Sequence, residues 1–143
     1  MRERTLPQRS LAVISEPHDL RVIFIARDYE ETVAFYRDVL ELSVLTSWNE
    51  PPAPGTIFSV GGATLEVLAP SLEEVRTDPS GFRLLLRCTD PDALCQRLQD
   101  KGAGITVPLV DRPWGYREFA VRDPNGIQVF FYTMIDSTKA GHR

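Results

Sequence analysis

The amino-acid sequence predicts an α+β fold made of two βαβββ modules, whose curved mixed sheets surround a cleft. Three observations carry this expectation. The hydrophobic pattern runs strand, helix, strand, strand, strand and then restarts. An offset of 62 residues lays Arg21 on Arg83, Asp28 on Asp90 and Tyr36 on Leu98. An offset of 61 lays Phe58 on Phe119 and Val60 on Val121. Self-similarity at one spacing marks a duplicated unit, and here each unit supplies one four-stranded sheet with one helix on its convex face.

The elements follow in order. LRVIFIA, residues 20–26, is a short β-branched apolar run suited to a strand. Asp28 followed by Glu31 forms a capping box, and Val33, Tyr36, Val39 and Leu40 recur at helical spacing, so 29–40 is a helix. Leu42–Ser47 reads as a strand, and the prolines of 49–55 make a loop. Thr56–Val60 and Ala63–Ala69 flank Gly61-Gly62 as a hairpin. In the second unit FRLLLRC, residues 82–88, is a strand. Asp90-Pro91 starts a helix striped by Leu94 and Leu98 and stopped by Gly102. Ile105–Leu109 is a strand that Pro108 assigns to an edge. A loop over 111–115 leads to strands 117–121 and 127–133, joined by a turn from Arg122 to Gly126. The organisation expected is an arm over 1–19, one domain over 20–134 and a tail over 135–143. Within the domain, module one is 20–69, a linker is 70–81, and module two is 82–134.

Composition narrows the function. With 143 residues and 43% hydrophobic content, a core can form without disulfides or structural metal. The net charge of −4 and the absence of a basic block argue against nucleic acid, whose binding needs clustered Lys and Arg. No apolar run approaches a membrane span, and MRERTLPQRS is not followed by an apolar leader segment, so a cytoplasmic location is expected. There are only two histidines, His18 before the first strand and His142 next to the last residue. A two-histidine iron site and a histidine-based triad in the core are therefore disfavoured. Cys88 and Cys95, spaced C-x6-C, do not match zinc spacing and read as reduced thiols.

Two segments carry a family resemblance. Arg27-Asp-Tyr-Glu-Glu-Thr-Val-Ala-Phe-Tyr-Arg-Asp-Val-Leu40 is similar to a helix of pattern D-x6-FY-x3-L. Pro113-Trp-Gly-Tyr-Arg-Glu-Phe-Ala-Val-Arg-Asp-Pro-Asn-Gly126 is similar to a strand-turn of pattern WG-x3-F-x3-DP-x-G. Together, across residues 20–134, they resemble the vicinal-oxygen-chelate superfamily of glyoxalases, bleomycin-resistance proteins and extradiol dioxygenases. The resemblance implies that fold, and it implies a divalent metal at four positions that fall here on Arg21, Glu66, Arg83 and Phe130. Only Glu66 can ligate a metal, because a guanidinium and a phenyl ring offer no donor atom. No metal and no other cofactor is therefore expected.

Strand alternation then separates two faces. Val22, Phe24, Leu84, Leu86, Val129 and Phe131 are uniformly apolar and belong under the helices. The opposite parity carries Arg21, Ile23 and Ile25; Thr64, Glu66 and Leu68; Arg83, Leu85 and Arg87; and Gln128, Phe130 and Tyr132. This mixed set suits a ligand cleft. Glu66 is expected to pair with a guanidinium, Arg83 ahead of Arg21, and is also the candidate catalytic base. Arg83 and Arg87 could bind a carboxylate or phosphate. Trp48, Trp114 and Tyr116 are loop aromatics suited to stacking on a planar ligand. Asp123-Pro-Asn-Gly126 is turn chemistry with a structural role. The function expected is a metal-free, bleomycin-resistance-like protein that binds a small aromatic or anionic molecule in a cleft at a homodimer interface. The alternative is a lyase, isomerase or dioxygenase that uses Glu66 as base or metal ligand.

Overall fold

The computed structural model describes residues 17–71, 81–136 and 138. Most of the expected arm, most of the linker and most of the tail lie outside the described residues. The chain runs β1 (Arg21–Ile25), α1 (Tyr29–Ala34), a π-helical turn (Phe35–Val39), β2 (Ser43–Trp48), β3 (Gly55–Val60) and β4 (Ala63–Leu68). It repeats as β5 (Arg83–Arg87), α2 (Pro91–Asp100), β6 (Ile105–Asp111), β7 (Tyr116–Arg122) and β8 (Gln128–Met134).

Two four-stranded sheets form, in the orders β1-β4-β3-β2 and β5-β8-β7-β6. In each, the first strand is parallel to the last and the other pairs are antiparallel. The expected duplication is therefore present strand for strand. Pro108 does lie on an edge strand, β6, where its missing N–H costs no ladder bond. Most element ends lie within one residue of expectation, and the larger differences are at α1 and β6. The first helix is α-helical only to Ala34 and then widens to the π form, and β6 runs two residues further than its sequence pattern suggests. Backbone pairing to β7 holds Val110 and Asp111 in the strand despite the polar end.

The helix starts behave as their chemistry requires. The Asp28 carboxylate accepts from the Glu31 N–H at 3.0 Å, and the Asp90 carboxylate accepts from the Ala93 N–H at 3.1 Å. Each cap satisfies a backbone donor that the first turn leaves open. Gly61 in the first hairpin, Gly102 after α2 and Gly126 in the last turn have positive φ values. Gly61 thus supplies the left-handed residue of the tight two-residue turn.

Both helices pack on the apolar parity, and the two modules share one core. Val33, Tyr36, Leu40, Phe58, Leu65 and Val67 join Cys95, Leu98, Phe119, Val121, Val129 and Phe131. The repeat-related Tyr36 and Leu98 are both fully buried. Tyr36 crosses between the modules. Its ring lies edge-on to Phe35, and its hydroxyl donates to the Asp123 carboxylate at 2.8 Å. Asp123 also accepts from the N–H groups of Asn125 and Ile127, each at 2.8 Å. Asn125 in turn accepts from the Arg27 N–H at 2.8 Å and donates to the Thr32 hydroxyl at 3.1 Å. The turn 123–126 is structural as expected, and beyond that it bolts module two to the helix of module one. Burial first, and then the Asp123 charge, hold the Tyr36 hydroxyl well above the usual tyrosine range. At the other end Lys101 donates to the Asp38 carbonyl at 2.7 Å and pairs with Glu41. No helix among the described residues is long and apolar enough to cross a membrane.

Candidate functional site

Strand alternation separates the candidate residues of β1 and β5 from the core-facing ones. On β1, Arg21 and Ile23 are exposed while Val22 and Phe24 pack against the core. On β5, Arg83, Leu85 and Arg87 are exposed while Leu84 and Leu86 pack inward. Register then sets the neighbours. Arg21 lies beside Thr64 and Ile23 beside Glu66 on β4. Arg83 lies beside Gln128, Leu85 beside Phe130 and Arg87 beside Tyr132 on β8. Glu66 and Phe130 therefore occupy equivalent points of the two sheets.

Glu66 does pair with a guanidinium, but the order of partners is reversed. Arg21 Nη1 lies 3.5 Å from Glu66 Oε1, while Arg21 Nε donates to the Thr64 hydroxyl at 3.1 Å. Arg83 instead lies over the Phe130 ring, 4.9 Å from its centroid. The physical reason is topology. β5 belongs to the other sheet, so the Arg83 side chain reaches the β8 residue equivalent to Glu66 and meets an aromatic face. Arg21 remains 48% exposed and Glu66 12% exposed, so the arginine end of the pair is solvated while the carboxylate is largely shielded, and the contact is long at 3.5 Å. Glu66→Gln and Arg21→Met are each expected to change stability by no more than about 1 kcal/mol in denaturant titration.

The remaining candidates lie on or beside β7 and β8. The Tyr116 and Tyr132 rings stack at 4.5 Å between centroids. The Gln128 amide oxygen accepts from the Thr106 hydroxyl at 2.5 Å. The Arg112 guanidinium lies 5.5 Å from the Trp114 ring and donates to Glu118 Oε2 at 3.0 Å. Glu118 is only 1% exposed, faces Tyr132 across the ladder, and shares its parity with Tyr116. Sequence reasoning missed it. The signal available was a carboxylate at alternate spacing from Tyr116, directly before the apolar run Phe119-Ala-Val121. Trp48 departs from the expected cleft role. Its ring lies on Gly55, where a Cβ would collide with it, and its Nε1 donates to the Ala53 carbonyl at 3.0 Å. It lines a helix-side groove of about 650 Å³ with Tyr29 and Val33.

The residues at the four metal positions implied by the resemblance do not fit a metal. Of the four positions one carries a carboxylate, two carry guanidiniums and one a phenyl ring, and the carboxylate already faces a cation. Among the described residues no group of three or more His, Cys, Asp or Glu comes together. Both cysteines are free thiols, and burial pushes both upward in pKa.

Comparison with known proteins decides the family. The model of the Glyoxalase/Bleomycin resistance protein/Dioxygenase superfamily matches residues 20–131. The chain belongs to this superfamily. Solved structures share its fold. A glyoxalase/bleomycin resistance protein from Streptomyces sp. CB03234 is 24% identical, with a TM-score of 0.63, covering 80% of this chain and 99% of that one. TnmS3, described as an antibiotic binding protein from the same Streptomyces, is 24% identical at a TM-score of 0.68, covering 84% and 98%. A lactoylglutathione lyase from Agrobacterium tumefaciens is 21% identical at a TM-score of 0.63, covering 82% and 94%. No curated protein matches the chain. Within this superfamily fold, the Arg21–Glu66 and Arg83–Phe130 pairs occupy the corresponding points of the two modules.

Proposed function

We propose that the chain is a cytoplasmic, metal-free member of its superfamily that binds a small molecule in a cleft assembled where two copies meet. The observation that carries this reading is the make-up of the four metal positions, an Arg21–Glu66 ion pair and an Arg83–Phe130 stack. Residues of that kind favour holding a ligand over activating one through a metal. The free thiols suit a reducing compartment. The fold-sharing antibiotic binding protein supports the small-molecule part.

Two copies are called for by the edge strands. β1 and β5 are edge strands of their sheets, and Leu20, Ile23, Phe82 and Leu85 are exposed on or beside them. Large apolar side chains concentrated on open strands call for cover, and closed twofold pairing is the commonest form of it. Ile23→Glu and Leu85→Glu are expected to convert a dimer to a monomer in light scattering at tens of micromolar protein, with unchanged circular dichroism. A wild-type chain of monomeric mass would contradict the shared cleft. Native mass spectrometry of the protein from its own host is expected to retain a small molecule.

A second reading has one observation in its favour. Glu66 Oε1 faces Arg21, while Oε2 has no hydrogen bond or ion pair among the described residues. A carboxylate oxygen open to a cleft can take a proton, the role of a general base in a lyase or isomerase. Under that reading Glu66→Gln retains ligand and loses turnover. Under the binding reading it changes affinity alone.

A further inference from the structure

We propose that the ligand of this cleft is an aromatic oxyanion, its negative group held by Arg83 and Arg87 and its ring placed against the aromatic residues of β7 and β8. The inference rests on the small-molecule reading above and adds the ligand's charge. Three observations carry it.

The first is uncompensated charge. Arg21 faces Glu66, and Arg112 faces Glu118. Arg83 and Arg87 have no carboxylate or side-chain hydrogen-bond partner among the described residues, and Arg83 lies over the Phe130 ring. Among the described residues these two guanidiniums stand unopposed on one strand face of an acidic chain with pI about 5.2.

The second is geometry. Arg83 and Arg87 have the same parity on β5 with Leu85 between them, and both are exposed. Strand rise sets their Cα atoms roughly 13 Å apart, a span that two long side chains can converge across. Each presents a planar fork suited to carboxylate or phosphate. Phe130 beneath Arg83 orients that guanidinium without neutralising it.

The third is the difference between the modules. In module one the cation of β1 meets Glu66 on β4. In module two the equivalent point is Phe130, so the cation of β5 meets no carboxylate among the described residues. Beside it Tyr132 lies next to Arg87 and stacks on Tyr116. Cation and aromatic surface thus adjoin on one face, as an aromatic acid requires.

The test uses the full chain and three matched probes: 2-naphthoate, 2-naphthyl phosphate and the neutral 2-naphthalenemethanol. Binding is followed by ¹⁵N chemical shifts of the β5 and β8 amides. The expected result is saturable binding of at least one anion, weakened roughly tenfold or more in Arg83→Met and in Arg87→Met, with the alcohol binding no better than the anions bind to those variants. The ratio of the two anions distinguishes a carboxylate ligand from a phosphate ester. Both arginines are exposed, so these variants should fold, and circular dichroism checks it. If the alcohol binds as tightly as the anions and Tyr132→Ala weakens it, the cleft binds small molecules but the oxyanion inference is overturned. Unchanged anion affinity in both variants, or no anion binding at millimolar concentration, overturns it as well.

Discussion

Asp123→Ala is expected to lower the unfolding free energy by about 3–5 kcal/mol in urea titration. The carboxylate accepts from the Tyr36 hydroxyl and from the backbone N–H groups of Asn125 and Ile127, all within 2.8 Å. Asp123 is 3% exposed and Tyr36 is fully buried, so water cannot replace the lost acceptor at the tyrosine. Truncation leaves buried donors unsatisfied, which costs more than a solvated bond is worth. Tyr36→Phe removes one donor and leaves Asp123 its backbone partners, so about 1–2 kcal/mol is expected. The same pair shapes the alkaline limb. Burial, then the Asp123 charge, raise the Tyr36 pKa in the folded state. The unfolded tyrosine loses its proton near about pH 10 while the folded one keeps it. This contribution is therefore complete below about pH 10 and falls as pH rises, by about 1.4 kcal/mol per unit. In Tyr36→Phe that part of the alkaline loss should be absent. A loss under about 1 kcal/mol in Asp123→Ala would show that the turn does not bolt the modules together.

Arg112→Met is expected to be the second most damaging change, at about 2–4 kcal/mol. Glu118 is 1% exposed and its Oε2 accepts from Arg112 Nε at 3.0 Å. Removing the cation takes the Arg112 charge away from a carboxylate that is shielded from water. The cost falls below that of a fully buried pair because Arg112 is 30% exposed and water can enter from its side. The guanidinium also lies over Trp114, so tryptophan fluorescence should change with the stability. The double variant Arg112→Met with Glu118→Met should recover part of the loss, since it removes both charges. Strictly additive single losses would deny the pairing.

Much of the fold was legible because local and duplicated signals agreed. The caps Asp28 and Asp90, the stop at Gly102 and the Gly61-Gly62 turn each act within a few residues of chain, where sequence is informative. Parity was legible for the same reason, since a strand's faces alternate whatever lies across from them. What could not be read was the identity of partners across strands. Whether Glu66 meets Arg21 or Arg83 depends on sheet membership, and the two arginines are repeat equivalents that each open an apolar strand. Glu118 was missed because parity was assigned on β1, β4, β5 and β8 and not on β7. Trp48 lies helix-side because Gly55 admits its ring, a contact that spacing does not reveal. The D-P-N-G turn was legible as a turn, but its bond to Tyr36 spans 87 residues and belongs to tertiary structure.

The central claim is that this member of the superfamily binds its ligand without a metal at the position of Glu66. Its most direct test is elemental analysis of the purified full-length chain, followed by calorimetric titration with zinc, nickel, manganese and ferrous iron. The account predicts no stoichiometric metal and no saturable heat, because the three positions that would supply further donors carry Arg21, Arg83 and Phe130. About one equivalent of a divalent ion per chain, lost in Glu66→Gln, would contradict it.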